Sequence, residues 1–228
     1  MCREGKSKSL YFLGEKLFPR LPGIAVIGTR NPGYGINAAF EFASLSANLG
    51  YMVVSGLALG CDTAAHIGCL ESGGTTMAVF PCGLNHVAPA SNRPLARRIV
   101  NSGGRLVSEY SPETPPRNFR FVERNRVIAS LSQAVIIIEA EVHSGTMHTA
   151  RFALEQNKPL ACYVPKAGRL SPGCRHLIEN NDATPLRNLD DLKLFLELLS
   201  RDQQSLPGTV AAAPPAAEIA WRRASARE

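Results

Sequence analysis

The chain has 228 residues, of which 45% are hydrophobic, and 25 lysines and arginines outnumber 19 aspartates and glutamates to give a formal net charge of +6. This length accommodates one main domain with a sizeable core. The apolar runs are too short to span a membrane, and the first residues lack the apolar stretch of a signal peptide. We therefore expect a cytoplasmic protein with no membrane association.

The 6 cysteines are scattered along the chain without a CxxC pair. In a chain of this size that pattern indicates reduced thiols rather than disulfides, and it gives no sign of a zinc site. The sequence thus predicts neither a metal nor a cofactor.

Charge and composition divide the chain into three parts. Residues 1–20 are a basic N-terminal lead-in, with five basic and two acidic residues. Residues 21–200 are the predicted main domain, and residues 201–228, rich in alanine and proline, predict a disordered tail. Because the main domain carries little of the net charge, an anion site there requires a local cluster of arginines and backbone amides.

Short apolar runs alternate with helical stretches along the main domain. The predicted strands are Ile24–Gly28, Met52–Ser55, Thr76–Phe80, Arg105–Ser108, Ala134–Glu139 and Leu160–Val164. The predicted helices lie near 35–49, 61–72, 93–102, 121–132, 146–157, 171–180 and 189–200. Several strands are apolar at consecutive positions, which is typical of strands covered on both faces. The alternation predicts an α/β fold with a mostly parallel sheet and helices on both faces.

Glycine-containing turns follow the carboxyl ends of the predicted strands, where parallel sheets bind their ligands. The first is Gly28-Thr29-Arg30, and Gly33-Tyr34-Gly35 then precedes a helix whose N-terminus favours an anion. Later turns contain Ser55-Gly56, Cys82-Gly83 and Ser144-Gly145-Thr146. Each alone is compatible with ordinary turn geometry, but together they favour a phosphate-lined pocket. The spacing is not that of a GxGxxG dinucleotide fingerprint.

The segment from Arg117 to Arg126 contains four arginines and two phenylalanines in ten residues. Arginine binds phosphate through a planar fork, and phenylalanine offers a flat face to an unpaired base. A solvated helix start with its phenylalanines in the core explains the same composition. The residues alone leave both interpretations open.

Asp62 and His66 lie four residues apart on one face of a predicted helix. The spacing suits a metal or an acid–base pair, but it is more typical of a structural hydrogen bond near a helix start.

The order of these motifs resembles that of the DprA/Smf family, the DNA-processing proteins of bacterial natural transformation. The resemblance covers roughly residues 22–186 and includes Gly28-Thr29-Arg30, Ser55–Asp62, His66, Gly73-Gly74-Thr75, Cys82-Gly83-Leu84, Ser108-Glu109-Tyr110, Phe121, Arg124–Ile128, Ser144–Ala150, Pro165, Gly173 and Leu177-Ile178. It implies an extended Rossmann-like fold, single-stranded DNA binding, homodimerisation and loading of the recombinase RecA. The implied protein protects incoming or processed DNA and is not an enzyme.

The resemblance also implies which residues contact DNA. They are Arg30 for a phosphate, Ser55 and Gly56 for small polar contacts or amides, Phe121 for base stacking, the pair Arg124 and Arg126, and Ser144, Gly145 and Thr146 as a helix cap with free amides. Helical positions two apart point about 200° from each other, so the two arginines cannot face one phosphate. We expect Arg124 to face DNA and Arg126 to pair with an acid such as Glu109 or Glu139.

Some positions depart from the family pattern. Cys61, Ala88-Pro89 and Met147-His148 stand where isoleucine, Tyr-Pro and Leu-Ile are usual, and we expect neither the helical N-terminal domain nor the winged-helix domain of many members. These departures bear on accessory DNA contacts and partner docking rather than on the central pocket.

The alternative function is nucleotide binding, or hydrolysis by an enzyme similar to the LOG-type nucleoside-monophosphate phosphoribohydrolases. Those enzymes carry a Pro-Gly-Gly-x-Gly-Thr-x-x-Glu segment. The corresponding stretch here runs from Glu141 to Thr149, lacks the first glycines and has a threonine in place of the catalytic carboxylate. Threonine is a poor substitute for a carboxylate that must act at the sugar carbon, which favours binding over catalysis.

Overall fold

The computed structural model describes residues 9–14, 21–204 and 217–218, and in them strands and helices alternate. The strands are β1 (Tyr11–Gly14), β2 (Gly23–Ile27), β3 (Met52–Ser55), β4 (Thr76–Val79), β5 (Arg105–Ser108), β6 (Ala134–Ile137), β7 (Leu160–Tyr163), β8 (Thr184–Leu186) and β9 (Ala217–Glu218). The helices are α1 (Gly35–Asn48), α2 (Cys61–Glu71), α3 (Arg93–Asn101), α4 (Asn118–Ser130), α5 (Gly145–Glu155), α6 (Pro172–Glu179) and α7 (Leu189–Gln204).

These strands form one sheet in the order β8-β7-β6-β2-β3-β4-β5-β1-β9. β1 runs antiparallel to β5, and the other neighbouring strands are parallel. The mostly parallel α/β fold predicted from the sequence is therefore confirmed. From β2 the chain builds β3, β4 and β5 on one side, then returns to build β6, β7 and β8 on the other. This reversal creates a switch point between β2 and β6, where a crevice opens at the carboxyl ends of the strands.

Consecutive apolar residues of the central strands point to opposite faces, and this alternation buries the sheet on both sides. In β2, Ile24 and Val26 join a core with α1, α2 and α7, whereas Ala25 and Ile27 join a core with α4, α5 and α6. A third cluster packs α3 against the β4–β5 side of the sheet. Within the described ranges, none of the helices is both long and apolar enough to cross a membrane.

The two segments that flank the predicted main domain contain short strands. β1 lies inside the predicted lead-in, and β9 lies inside the predicted tail. α4 begins at Asn118, three residues before its predicted start, and β8 was not predicted. The rest of the predicted tail, residues 205–216 and 219–228, lies outside the described residues.

Helices α1 and α2 approach each other closely at Gly68. A Cβ atom added to Gly68 would collide with the carbonyl oxygen of Phe40 and lie 2.9 Å from the Phe40 Cα. We expect Gly68→Ala to lower the free energy of unfolding by about 1–3 kcal/mol, because only a separation of the helices relieves the overlap. Urea denaturation measures the change.

Gly145→Ala provides the matched control, since no atom lies within 4 Å of a Cβ added there. Its free energy of unfolding should stay within about 0.5 kcal/mol of wild type. A Gly68→Ala protein as stable as this control would contradict close packing of the two helices.

Candidate functional site

A cavity of about 530 Å³ opens at the switch point, between the end of β2 and the helices α4 and α5. Six of the nine predicted contact residues line it, namely Arg30, Phe121, Arg124, Ser144, Gly145 and Thr146. Ile27, Gly28, Thr29, Ala58, Asp62, Asn118, Val122, Asn125, Ile128 and Thr149 complete the lining. The fold thus brings together the turn after β2, one face of α4 and the N-terminus of α5.

Arg124 places a buried positive charge in the wall of the cavity. Arg124 is only 5% exposed. Its Nη1 donates to the carbonyl oxygens of Gly56 and Val79, and its Nε donates to Asn125 Oδ1 at 3.1 Å. Burial lowers the pKa of Arg124 to about 10, and the nearby Asp62 acts in the opposite direction. A guanidinium with that pKa stays charged at neutral pH and contributes positive charge to the wall of the cavity.

Gly56 and Asp62 pack against this guanidinium. A Cβ added at Gly56 would lie 2.6 Å from both Arg124 Nη2 and Asp62 Oδ2, so glycine is required here by the charged side chains. Burial raises the pKa of Asp62, while Arg124 and a hydrogen bond from the Ala58 amide, 3.3 Å long, oppose the increase. Gly56 therefore supports the cavity from outside its lining instead of offering its amide to a ligand.

The predicted anion site after β2 is occupied by a side chain of the protein. The carboxylate of Glu139 accepts backbone N–H groups from Gly33 at 3.0 Å, Tyr34 at 3.3 Å and Gly35 at 3.1 Å. Helix α1 begins at Gly35, and the N-terminus of a helix stabilises a negative charge. The interpretation of this turn as an anion site is chemically right, but Glu139 fills the place that a ligand phosphate would take.

Arg30 and Phe121 form the exposed part of the cavity. The Arg30 guanidinium carbon lies 5.1 Å from the centroid of the Phe121 ring, which is a cation–π distance. Arg30 makes no ion pair within the described ranges. Phe121 is half-buried and belongs to none of the three core clusters. Both side chains are therefore available to a ligand.

The N-terminus of α5 supplies polar groups to the opposite wall. Ser144 occupies the N-cap position, but its hydroxyl makes no capping hydrogen bond, which corrects the prediction of a side-chain cap. The Ser144 Oγ is buried and has no hydrogen-bond partner in the described part of the chain. Together with the first amides of a helix, this oxygen offers hydrogen bonds to an anion.

The remaining two predicted contacts lie away from the cavity. Ser55 is buried, and its Oγ donates to the Val26 carbonyl oxygen at 2.8 Å. Arg126 pairs with Glu109 at 2.5 Å and leaves 44% of its side chain exposed. Arg124 thus lines the cavity and Arg126 binds an acid, while the contact of Arg124 with DNA stays a prediction.

Asp62 and His66 do not form the hydrogen bond that their spacing suggested. His66 Nδ1 instead contacts Thr76 Oγ1 at 2.7 Å, and its buried Nε2 has no partner within the described ranges. Burial, assisted by Arg124, lowers the pKa of His66 to about 3. Among the described residues, no group of three or more His, Cys, Asp or Glu side chains could hold a metal ion.

The sequence did not indicate the roles that two residues play in shaping the site. One is Glu139, whose partners lie more than one hundred positions away in the chain. The other is Asn125, which donates from Nδ2 to the Gly145 carbonyl oxygen at 2.9 Å and so joins α4 to α5. The position of Asn125 between Arg124 and Arg126 is the one feature of the sequence that points to a role in the site.

Comparisons with known proteins agree with this architecture. The family model described as DNA recombination-mediator protein A matches residues 4–197. Protein Smf of Synechocystis is 36% identical over 178 residues, which cover 75% of this chain and 44% of that protein. DNA processing protein DprA of Streptococcus pneumoniae is 36% identical over 172 residues, which cover 75% of this chain and 60% of that protein. The chain therefore spans less than two thirds of the length of these relatives.

A solved structure also resembles the chain over most of its length. It belongs to DNA processing protein A from Helicobacter pylori and concerns the single-stranded DNA binding mode of that protein. The two chains are 32% identical and superpose with a TM-score of 0.76, over 88% of this chain and 90% of the other.

We expect the buried His66 to make the protein less stable in mild acid. Below pH 6.5 the unfolded chain binds a proton at His66, whereas the folded protein does so only near its pKa of about 3. Stability is thus complete above pH 6.5 and falls as the pH decreases towards 3. At about 1.4 kcal/mol per pH unit, the loss between pH 6.5 and 5 is up to about 2 kcal/mol.

Urea denaturation at several pH values measures this loss. His66→Gln should show a flatter pH dependence than wild type, and His176→Gln, at an exposed position of α6, controls for removal of a histidine. If His66→Gln and wild type lose stability equally between pH 7 and 5, another group is responsible.

Proposed function

The chain belongs to the DNA recombination-mediator protein A family, the DprA/Smf proteins, and from this premise we propose that it binds single-stranded DNA in the cavity at the switch point. In this proposal it acts as a homodimer that protects incoming or processed DNA and delivers it to a RecA-type recombinase, as in natural transformation. The proposal assigns it no catalytic activity.

The pairing of Arg30 with Phe121 carries this proposal. It places an exposed cation and a flat aromatic face 5.1 Å apart at the mouth of a cavity whose wall contains the buried charge of Arg124. Single-stranded nucleic acids are bound by this combination, because positive charge follows the backbone while an aromatic ring stacks on a base. The bases of duplex DNA cannot stack on the Phe121 ring, since they are already stacked and paired with one another.

The contacts at the N-terminus of α5 add a place for a phosphate. The Ser144 hydroxyl, which has no hydrogen-bond partner among the described residues, lies at the same cavity as Arg30, and so do the amides of Gly145 and Thr146. A nucleotide whose base stacks on Phe121 can direct its phosphate to these donors. This arrangement supports a contact with the DNA backbone that does not depend on the base sequence.

Hydrolysis of a nucleotide is less well supported. Thr149, at the position of the catalytic carboxylate in phosphoribohydrolases, lines the cavity and is 2% exposed. A hydroxyl neither stabilises a developing positive charge nor acts as a general base at neutral pH. Binding of a single mononucleotide is the remaining alternative, and it predicts no increase in affinity with oligonucleotide length.

Fluorescence titration with single-stranded and duplex oligonucleotides tests the proposal, with nucleotide hydrolysis assayed in parallel. Single strands should bind better than duplex, affinity should increase with length, and it should decrease steeply with salt as counterions are released. Equal affinity for the two forms of DNA would contradict the proposal, and length-independent binding would favour the mononucleotide alternative.

Arg30→Ala should weaken binding to all sequences and reduce the salt slope by roughly 0.7, the value for one lost contact to a single-strand phosphate. Arg98→Ala is the matched control, because Arg98 lies on α3 near Glu71 and away from the cavity. Titration over a salt series gives both slopes. An unchanged slope for Arg30→Ala would place Arg30 outside the interface.

Phe121→Ala should weaken single-strand binding by about 1–3 kcal/mol through lost stacking. Because Phe121 lies outside the core clusters, the free energy of unfolding of the Phe121→Ala protein should be only about 1 kcal/mol lower than that of wild type. The contrast is Phe42→Ala, which removes a core ring that is 2% exposed and should cost about 3–5 kcal/mol of stability. Thermal melts and binding titrations separate the two effects. A Phe121→Ala protein that is strongly destabilised yet binds normally when folded would make Phe121 a core residue.

A further inference from the structure

Three side chains form an aromatic and cationic cluster outside the cavity, which we call the outer platform: Tyr110, Phe119 and Arg120. The Arg120 guanidinium carbon lies 4.9 Å from the centroid of the Tyr110 ring and 5.5 Å from that of Phe119. Both distances are within the range of cation–π attraction. Phe119 is nevertheless 53% exposed, so much of its ring remains free.

The two rings and one carbonyl group hold Arg120 in place. Its Nη1 donates to the Pro115 carbonyl oxygen, while its buried Nε has no acceptor among the described residues. The Nη2 group likewise has no hydrogen-bond acceptor in that part of the chain. An arginine held by its flat face, with a free nitrogen at one end, is arranged to bind a phosphate.

The acidic residues beside the outer platform are bound to other groups. Glu109 pairs with Arg126 at 2.5 Å, and Glu123 accepts the Tyr110 hydroxyl at 2.6 Å. No ion pair joins Arg120 to an acid within the described ranges. Its charge therefore remains available to an anionic ligand.

The outer platform and the cavity share the first turns of α4 but lie on different sides of that helix. Asn118, Phe121 and Val122 line the cavity, whereas Phe119 and Arg120 lie between them in the first turns of α4 and do not. Helical positions two apart point about 200° from each other, so Phe119 and Phe121 present their rings on different sides of one helix. A strand that leaves the cavity and passes around the start of α4 can therefore reach the outer platform.

We propose that the outer platform is a second nucleotide-binding site, at which an unpaired base stacks on Phe119 and the adjacent phosphate binds Arg120. The ligand is a nucleotide of the same single strand whose neighbour occupies the cavity, so this inference rests on the proposed function. The site extends the length of DNA bound by each chain beyond the cavity.

Titration with thymidine dinucleotide and with longer oligothymidylates tests the inference. Phe119→Ala should bind the long oligonucleotide about tenfold more weakly than wild type, and the dinucleotide with unchanged affinity. Phe119→Trp should restore binding, because a larger ring retains the stacking surface. Arg120→Lys should keep the salt slope yet weaken binding, since lysine preserves the charge without the planar fork.

Leu154→Ala, another exposed apolar position, is the matched control on α5 and should bind both probes as wild type does. If the wild-type protein binds no single strand, the proposed function and the outer platform both fail. If wild type binds and Phe119→Ala matches it with the long oligonucleotide, only the outer platform is overturned. An equal loss with both probes would also overturn it, because Phe119 would then act through the cavity.

Discussion

The buried guanidinium of Arg124 connects the elements that meet at the switch point. It reaches from α4 to carbonyl oxygens at the ends of β3 and β4, and it lies beside Asp62 at the start of α2. A buried charge is tolerated only with such partners, because a lone ion in the interior loses its hydration without compensation. The glycine at position 56 follows from this packing, because a side chain there would overlap the guanidinium and Asp62. Arg124 in turn opposes the rise that burial causes in the pKa of Asp62.

Glu139 determines where the cavity can form. In many parallel sheets the turn at the switch point binds a ligand phosphate with its backbone amides and the following helix. Here the carboxylate at the end of β6 takes those amides, so that part of the crevice is closed by the protein itself. The open space lies on the other side, between α4 and α5, and it is lined by the side chains of Arg30 and Phe121 as well as by the start of α5. A surface of arginine and phenylalanine side chains suits an extended, irregular single strand better than one fixed diphosphate.

The regular part of the fold could be predicted because it follows from local patterns. Consecutive apolar residues identify buried parallel strands, and the angle between helical positions separated Arg124 from Arg126. β8 escaped prediction because three residues with a central proline lack a strand pattern, and β1 because four residues at the end of a basic segment resemble a loop. The role of Glu139 depends on contacts between distant segments, which no local pattern encodes.

The edge strand β8 has a consequence for how the protein behaves in a crowded cell. The carbonyl oxygen of Leu186 accepts the Val164 amide on the β7 side, so by alternation the backbone nitrogen of Pro185 faces outward. Proline has no N–H, and this edge therefore lacks its central donor for a strand from another molecule. Open parallel sheets are exposed to edge-to-edge aggregation, and a three-residue edge interrupted by proline discourages it. Pro185, which makes β8 difficult to predict from the sequence, thus also hinders separate copies of the chain from pairing through this edge of the sheet.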